Sequence, residues 1–420
     1  VDESRFLRGG GATFKLGKID ATAFYSYKKI DANVDAVDSL SDDNEVLAVT
    51  SLQQTGMHRT VNELEDKGVI TQRNIGGHLG YKTRKLSLGL TGINSNINTD
   101  FTPAIQTYSQ FRNVENNQTK LGADYNWIFK NFNFFGEFSK SIDAGSAFVS
   151  GALITLDPKF SVAVLYRDYD RDFQPISSAG LGEGSTNENE KGIYMGFIAK
   201  PIKKFTLSAY YDQFTFPWLK FGINAPSGGY QFLGQLTYKP SKKMEMYIRI
   251  REKDKLENTG VDLTEGIDYL VHEKQTNYRF HYSYKVSESF KLKGRVELIN
   301  YNKEEVPFET GYLIYQDILF KTKKLPFSFA FRYAIFDTES FNSRIYAYEN
   351  DVLYAFSIPA YSNRGVRTYL TVRYHIKRGV DLWLRYGLTY YDNLDVVSSG
   401  LEEIQGNHKQ EIKAQLRFRF

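Results

Sequence analysis

Strict alternation of apolar and polar side chains over long segments constrains this sequence more than any other feature. The last ten residues, EIKAQLRFRF, are the clearest case. Successive side chains of a β-strand point to opposite faces, so this segment has one apolar face and one charged or amide face. An amphipathic strand of this kind occurs in membrane barrels and in soluble antiparallel sheets that cover a core. The final segment alone leaves both possibilities open.

The same alternation recurs along the whole chain. It is clear at 205–212, 244–251, 278–285, 290–298 and 369–376. A tilted strand needs about 9–11 residues to cross a bilayer, whereas strands of soluble proteins average about 5–6 residues. The segments here approach the membrane length, which favours a transmembrane β-barrel.

Connections between the strands alternate between short turns and long polar segments. Nine short turns are predicted, among them KTRK at 82–85, DPK at 157–159 and KRG at 377–379. The long segments are 31–68, 94–117, 170–190, 253–275 and 392–408. Short periplasmic turns and long extracellular loops are typical of outer-membrane barrels. We therefore predict an all-β fold, a large antiparallel transmembrane barrel of about 18–20 strands in one domain, 1–420, in the outer membrane of a Gram-negative bacterium.

Strand parity gives a further expectation. Nine hairpins and a final strand make about nineteen strands, whereas single-chain bacterial barrels have an even number with both ends in the periplasm. Three explanations stay open: an odd number of strands precedes Val1, the chain begins within an extracellular loop, or one strand is miscounted. The first residues, VDESRFLRGGG, contain no signal-peptide pattern.

The end of the chain resembles the C-terminal signal by which outer-membrane barrels are recognised for insertion. Phe418 and Phe420 carry this resemblance, since both lie on the apolar face of the last strand. The expected partners are outer-membrane lipid, the barrel-assembly machinery and other outer-membrane proteins.

Basic residues dominate the predicted inner faces of several strands. A basic lumen concentrates anions and can follow a phosphate backbone. Interior arginines can instead brace a large barrel by pairing with acids on other strands. The residues assigned to the basic inner faces are Arg249, Arg251, Lys291, Lys293, Arg295, Arg367, Arg373, Lys413, Arg417 and Arg419.

Two loop segments stand out. In the loop at 31–68, the stretch 51–67 is the one plausible helix, with Thr60 and Glu63 in capping-box spacing. It is either a plug inside the lumen or an ordered extracellular loop. The apolar segment YAYENDVLYAFSIPAY falls in an outer loop by strand parity, so we expect it to pack inside the barrel mouth or to form a ligand site.

Catalytic and metal-binding motifs are not found. The six histidines are scattered singly, and no HExxH, GxSxG or phosphate-binding P-loop motif occurs. We therefore expect no enzyme activity, no catalytic residues, no metal and no cofactor. Two functions remain: a channel or transport component for anions, including macromolecules such as DNA, or a plugged scaffold in an outer-membrane complex for secretion, assembly or nutrient uptake.

Four stretches resemble a Bacteroidota family of outer-membrane barrels that carry an N-terminal helix-hairpin-helix domain of the competence-protein type. They are SRFLRGGGATF, TAFYSYKKIDANV, SLQQTGMHRTVNELEDK and RIYAYENDVLYAFSIPAYSNRG. The resemblance implies that this chain corresponds to the C-terminal barrel portion, with further strands and the helix-hairpin-helix domain upstream of RFLRG. It also implies nucleic acid as a partner through that domain, whose paired hairpin helices do not occur in this sequence.

Overall fold

The structure is a computed structural model that describes residues 6–38, 45–53, 55–103, 105–111, 115–174, 179–260, 268–322 and 324–419. Strands dominate these residues. The one α-helix among them is α1 (Val61–Glu65), and two 3₁₀ turns lie at Thr107–Ser109 and Gly400–Glu402. No helix among the described residues is long and apolar enough to span a bilayer.

The strands are numbered in chain order. They are β1 (Gly9–Leu16), β2 (Ile19–Asp38), β3 (Glu45–Gln53), β4 (Ile70–Lys82), β5 (Leu86–Ile97), β6 (Asp100–Phe101), β7 (Asn117–Phe129), β8 (Phe132–Ser141), β9 (Ser146–Asp157), β10 (Phe160–Tyr169), β11 (Glu190–Ala199), β12 (Phe205–Phe216), β13 (Ser227–Ser241), β14 (Met244–Asn258), β15 (Leu270–Lys285), β16 (Phe290–Lys303), β17 (Glu309–Lys321), β18 (Phe327–Thr338), β19 (Ile345–Tyr346), β20 (Ala360–Tyr361), β21 (Arg364–Lys377), β22 (Val380–Tyr391), β23 (Val396–Val397), β24 (Ile404–Gln405) and β25 (His408–Phe418).

One sheet, antiparallel except where β3 pairs with β6, contains all the long strands of the described residues. It has 21 strands. Two of them, β3 and β6, extend a loop, and the other 19 follow each other as sequential hairpins from β1 to β25. This confirms the predicted all-β outer-membrane barrel fold of about 18–20 strands. Each predicted short turn also separates two paired strands, for example β4 and β5 around residues 83–85.

Side chains alternate between the two faces of the sheet as the sequence predicts. On β16, Val296 and Leu298 are 40% and 50% exposed on the outer face, while Arg295 and Glu297, which alternate with them, are buried on the inner face. Outward aromatic side chains gather near the short-turn ends, where Trp127 stacks on Phe134 with ring centroids 5.5 Å apart. An apolar outer face edged by aromatic rings matches the lipid-facing surface of an outer-membrane barrel.

The strands at the loop end are longer than the sequence indicates. The segment 253–275 is predicted to be one long loop. This is wrong, because β14 and β15 are paired from Asn258 opposite Leu270 to Met244 opposite Tyr284. Charged cross-strand pairs continue the ladder here, among them Lys274 with Glu252 at 2.9 Å. Opposite charges on adjacent strands stabilise a sheet in water, so polar composition alone does not separate strand from loop. The predicted alternation of short turns at one end and long loops at the other also has exceptions. Residues 142–145 and 304–308 make short connections at the loop end.

The sheet has two edges among the described residues. In that part of the chain β1 pairs only with β2, and β25 pairs only with β22. An even number of hairpin connections lies between β1 and β25, so these two strands run in the same direction. A direct pairing of these two strands would therefore be parallel, unlike the antiparallel pairing of each neighbouring pair of long strands. Phe418 pairs with Val380 at the end of β25 and is exposed on the outer face; Phe420 lies outside the described residues, and its role in insertion stays a prediction.

Candidate functional site

The connection between β18 and β21 folds back against the inner face of the sheet. We call residues 339–363 the inward loop. Its short strands β19 and β20 pair with each other, with Ile345 opposite Tyr361. Ile345, Ala347 and Tyr361 are buried with Leu313 of β17 and Phe336 of β18 in one apolar cluster. This packing explains the apolar composition of the loop and agrees with the expectation that it packs inside the barrel.

Residues 349–351 of the inward loop place two acidic side chains against basic side chains of the inner face. We call Glu349, Asn350 and Asp351 the acidic tip. Glu349 accepts hydrogen bonds from Arg367 of β21 at 2.6 and 2.9 Å and pairs with Arg385 of β22. Glu349 and Arg385 are both fully shielded from solvent. Tyr361 adds a hydroxyl hydrogen bond to the Glu349 carboxylate at 2.7 Å.

Asp351 and Asn350 extend the same contact. The Asp351 carboxylate lies 3.2 Å from Arg385 and 2.8 Å from Lys413 of β25. The Asn350 carbonyl accepts hydrogen bonds from Arg385 at 2.8 Å and from Thr371 at 3.2 Å. The acidic tip therefore connects to three neighbouring strands, β21, β22 and β25.

The charge state of Glu349 follows from these contacts. Burial opposes ionisation, but the Arg367 hydrogen bonds, the Tyr361 hydroxyl and the nearby Arg385 charge outweigh it and lower the pKa of Glu349 to about 2. The carboxylate is therefore ionised at neutral pH. Removing one partner of a buried ion pair costs about 3–5 kcal/mol, because the other charge is left without a counter-ion.

A second group of ion pairs lies near the short-turn end of the same strands. Asp381 of β22 is fully shielded from solvent and lies 2.8 Å from Arg373 and 2.6 Å from Arg417. Arg419 is 3.5 Å away, and the His375 ring is 3.1 Å away. Three arginines share one carboxylate, so this region keeps an excess of positive charge.

The basic residues identified in the sequence thus fall into two groups. Six have acidic partners: Arg295 pairs with Glu297, and the other five contact the acidic tip or Asp381 as described above. In the part of the chain that the structure describes, the remaining four have no ion-pair partner, and we call them the basic wall. The basic wall consists of Arg249, Arg251, Lys291 and Lys293 on β14 and β16.

The two arginines of the basic wall are held by neutral neighbours. Arg249 donates to the Gln235 side chain at 2.8 Å, and Arg251 donates to the Gln231 side chain at 2.8 Å. Amide partners fix the direction of a guanidinium without neutralising its charge. The basic wall therefore presents uncompensated positive charge to the interior.

Other inward charges were not identified from the sequence. Arg167 of β10 is fully buried and lies 2.6 Å from Glu190 and 2.7 Å from Asp212. Arg332 of β18 is paired with Asp317 of β17 at 2.6 Å. A signal was present for the second pair, because Arg332 interrupts the apolar segment FSFAFRYAIF and Asp317 lies in LIYQDILF.

In the loop at 31–68, the helix predicted over 51–67 is present only as α1 (Val61–Glu65), and its predicted first residues, 51–53, belong to β3 instead. Thr60 and Glu63 form the capping box, with the Thr60 hydroxyl accepting from the Glu63 amide at 3.2 Å. His58 contacts Asp31 at 2.8 Å, which connects the helix segment to β2. α1 buries none of its own residues.

Comparison with known protein families and with curated proteins finds no match for this sequence. Solved structures match its fold. The siderophore receptor PirA of Acinetobacter baumannii superposes with a TM-score of 0.50 at 8% identity, over 98% of this chain and 70% of that one. FpvAI in its complex with pyocin S2 gives 0.50 at 8% identity, over 97% of this chain and 62% of that one. At this identity the likeness shows the fold alone, which is that of outer-membrane β-barrels.

Proposed function

We propose that this protein is an outer-membrane transport barrel for anionic solutes, with a lumen narrowed by the inward loop. The observation that carries the proposal is the distribution of charge on the inner face. The acidic tip and Glu411 of β25 together neutralise Arg367, Arg385 and Lys413 on one part of that face, while the four cations of the basic wall have no ion-pair partner among the described residues.

Uncompensated charge inside a pore acts on passing ions. Rings or rows of lysine and arginine select anions because they lower the electrostatic energy of an anion in the constriction and raise that of a cation. The inward loop contacts β16 at Arg295 and Ile299, whereas Lys291 and Lys293 lie nearer the short-turn end of that strand. In the proposed transport barrel, the path for anions runs along the basic wall.

Anionic macromolecules such as DNA belong to the same charge class. Their transport, and contact with nucleic acid through an additional domain, stay predictions that follow from the resemblance noted in the sequence. The barrel-assembly machinery and other outer-membrane proteins likewise stay predicted partners.

A plugged scaffold barrel is the second candidate. The observation that favours it is the burial of the acidic tip, because fully buried ion pairs hold the inward loop in one place. A loop held in this way could close the lumen permanently, and the protein would then serve as a component of a larger complex.

Planar-bilayer recording on the purified, refolded full chain distinguishes the two candidates. The transport barrel gives steady current steps that are larger for the chloride of a bulky cation than for the potassium salt of a bulky anion at equal ionic strength. The scaffold gives no steps, although the protein migrates as a folded barrel on unheated gels. Cation preference would contradict the proposed function.

A further inference from the structure

A pocket of about 430 Å³ lies at the short-turn end of β15–β18, β21 and β22. We call it the mouth pocket. Asn350 and Asp351 of the acidic tip line it on the side of the inward loop, and Thr371 and Trp383 of the sheet also line it. Its size falls within the range of sites for small solutes.

Lysines dominate the rim of the mouth pocket. Lys285 of β15 stands directly opposite Lys291 of β16 in the ladder, and Lys321 of β17 lies at the same rim. Like charges directly opposite each other destabilise a sheet. An anion bound between them would remove this repulsion.

The acids of the mouth pocket do not neutralise it. Glu288 pairs with Lys285 at 2.6 Å, and Asp351 is committed to Arg385 and Lys413 outside the pocket. Within the described residues, Lys291 and Lys321 have no ion-pair partner. Arg373, also in the lining, shares Asp381 with two other arginines.

Hydroxyl groups complete the set of donors. Ser289 and Ser328 line the pocket beside the lysines, as does Ser287. The Ser287 oxygen accepts from the Ser289 and Phe290 amides, which leaves its own O–H available to donate. Lysine ammonium groups with nearby hydroxyls are suited to phosphate oxygens, which accept several hydrogen bonds and carry more than one charge.

We propose that the mouth pocket is a binding site for a small solute that carries a phosphate or pyrophosphate group, held by Lys291, Lys321 and the serine hydroxyls. The inference deepens the proposed function, on which it rests for the route by which the solute arrives. Because Asn350 and Asp351 form one wall, a bound solute contacts the inward loop directly.

Isothermal titration calorimetry with inorganic pyrophosphate tests the site on the full chain folded in detergent. The comparison uses wild type, Lys291→Gln, Lys321→Gln and a matched control, Lys242→Gln, which removes an exposed lysine from the turn between β13 and β14 at the same end of the sheet. Each pocket variant should weaken pyrophosphate binding by about tenfold or more, because each loses one charged hydrogen-bond donor. The control should bind as wild type does, and sulfate at equal ionic strength should bind more weakly than pyrophosphate.

Three results would overturn the site: no pyrophosphate binding, equal weakening in the control, or unchanged binding in both pocket variants. Gel mobility of unheated samples verifies that each variant is folded. Pyrophosphate binding without ion current would contradict the proposed function and leave the site intact. Anion-selective current without pyrophosphate binding would overturn the site alone.

Discussion

Glu349 and Arg385 are 36 residues apart in the sequence and form a buried ion pair between the inward loop and β22. Neither side chain reaches solvent. The pair is also shared, since Arg367 contacts Glu349 and Asp351 contacts Arg385. Buried charges that share partners therefore hold the inward loop against the inner face.

Glu349→Gln should release the inward loop from the inner face. The substitution leaves Arg385 and Arg367 with fewer counter-charges, at a cost of about 3–5 kcal/mol. The chain has no cysteine, so a single reporter thiol can be introduced at Ala347, which is buried in the loop. Ala347→Cys should resist maleimide labelling in the folded barrel and should react quickly once Glu349→Gln is added.

Glu402→Gln in the Ala347→Cys background is the matched control, since the Glu402 side chain is 66% exposed and lies 3.6 Å from Arg59, far from the inward loop in the sequence. It should leave the thiol protected. Equal labelling of the thiol with and without Glu349→Gln would contradict the role given to the acidic tip.

Acid should release the loop only at low pH. The pKa of Glu349 falls from an ordinary value of 4.5 to about 2. A lowered pKa stabilises the docked state fully above the ordinary value, and this contribution is lost as the pH falls towards the lowered one. Pepsin should therefore leave the inward loop intact at pH 4 and cut it near pH 2, while heat-denatured protein is cut at both. Rapid cleavage of the loop at pH 4 would show that Glu349 is not held in its ionised form.

The assignment of the two faces can be tested with one residue from each face of β16. Val296→Arg places a charge towards lipid and should cost about 2–4 kcal/mol near the bilayer midplane. Lys293→Gln changes the inner face and should fold normally. The measurement is the fraction of heat-modifiable folded barrel in each preparation, and equal fractions for the two variants would contradict the assignment of faces.

Local sequence pattern was sufficient to predict most of the sheet. Alternation around Val296 and in the last strand assigns the two faces correctly, because one face meets an apolar medium. It could not predict the length of β14 and β15, because Lys274 and Glu252 extend the ladder with polar pairs that look like loop composition.

The candidate site was harder to predict for a different reason. Arg367 and Lys413 were identified from the strand pattern, but their partners Glu349 and Asp351 lie in a loop whose path depends on tertiary packing. Arg385 was not identified, although the alternation of β22 places it on the inner face, and its partner Glu349 lies 36 residues away in the sequence. The alternation of a strand predicts which face a charged side chain lies on. It does not predict which oppositely charged side chain it pairs with there.

The reversal potential of the purified barrel in a potassium chloride gradient tests the central claim most directly. Wild type should show a preference for chloride. A variant with all four residues of the basic wall (Arg249, Arg251, Lys291 and Lys293) replaced by glutamine should keep its conductance steps and lose most of that preference, since amides bring no charge to the path. An unchanged chloride preference in this variant, or a wild-type barrel that prefers potassium, would contradict the account.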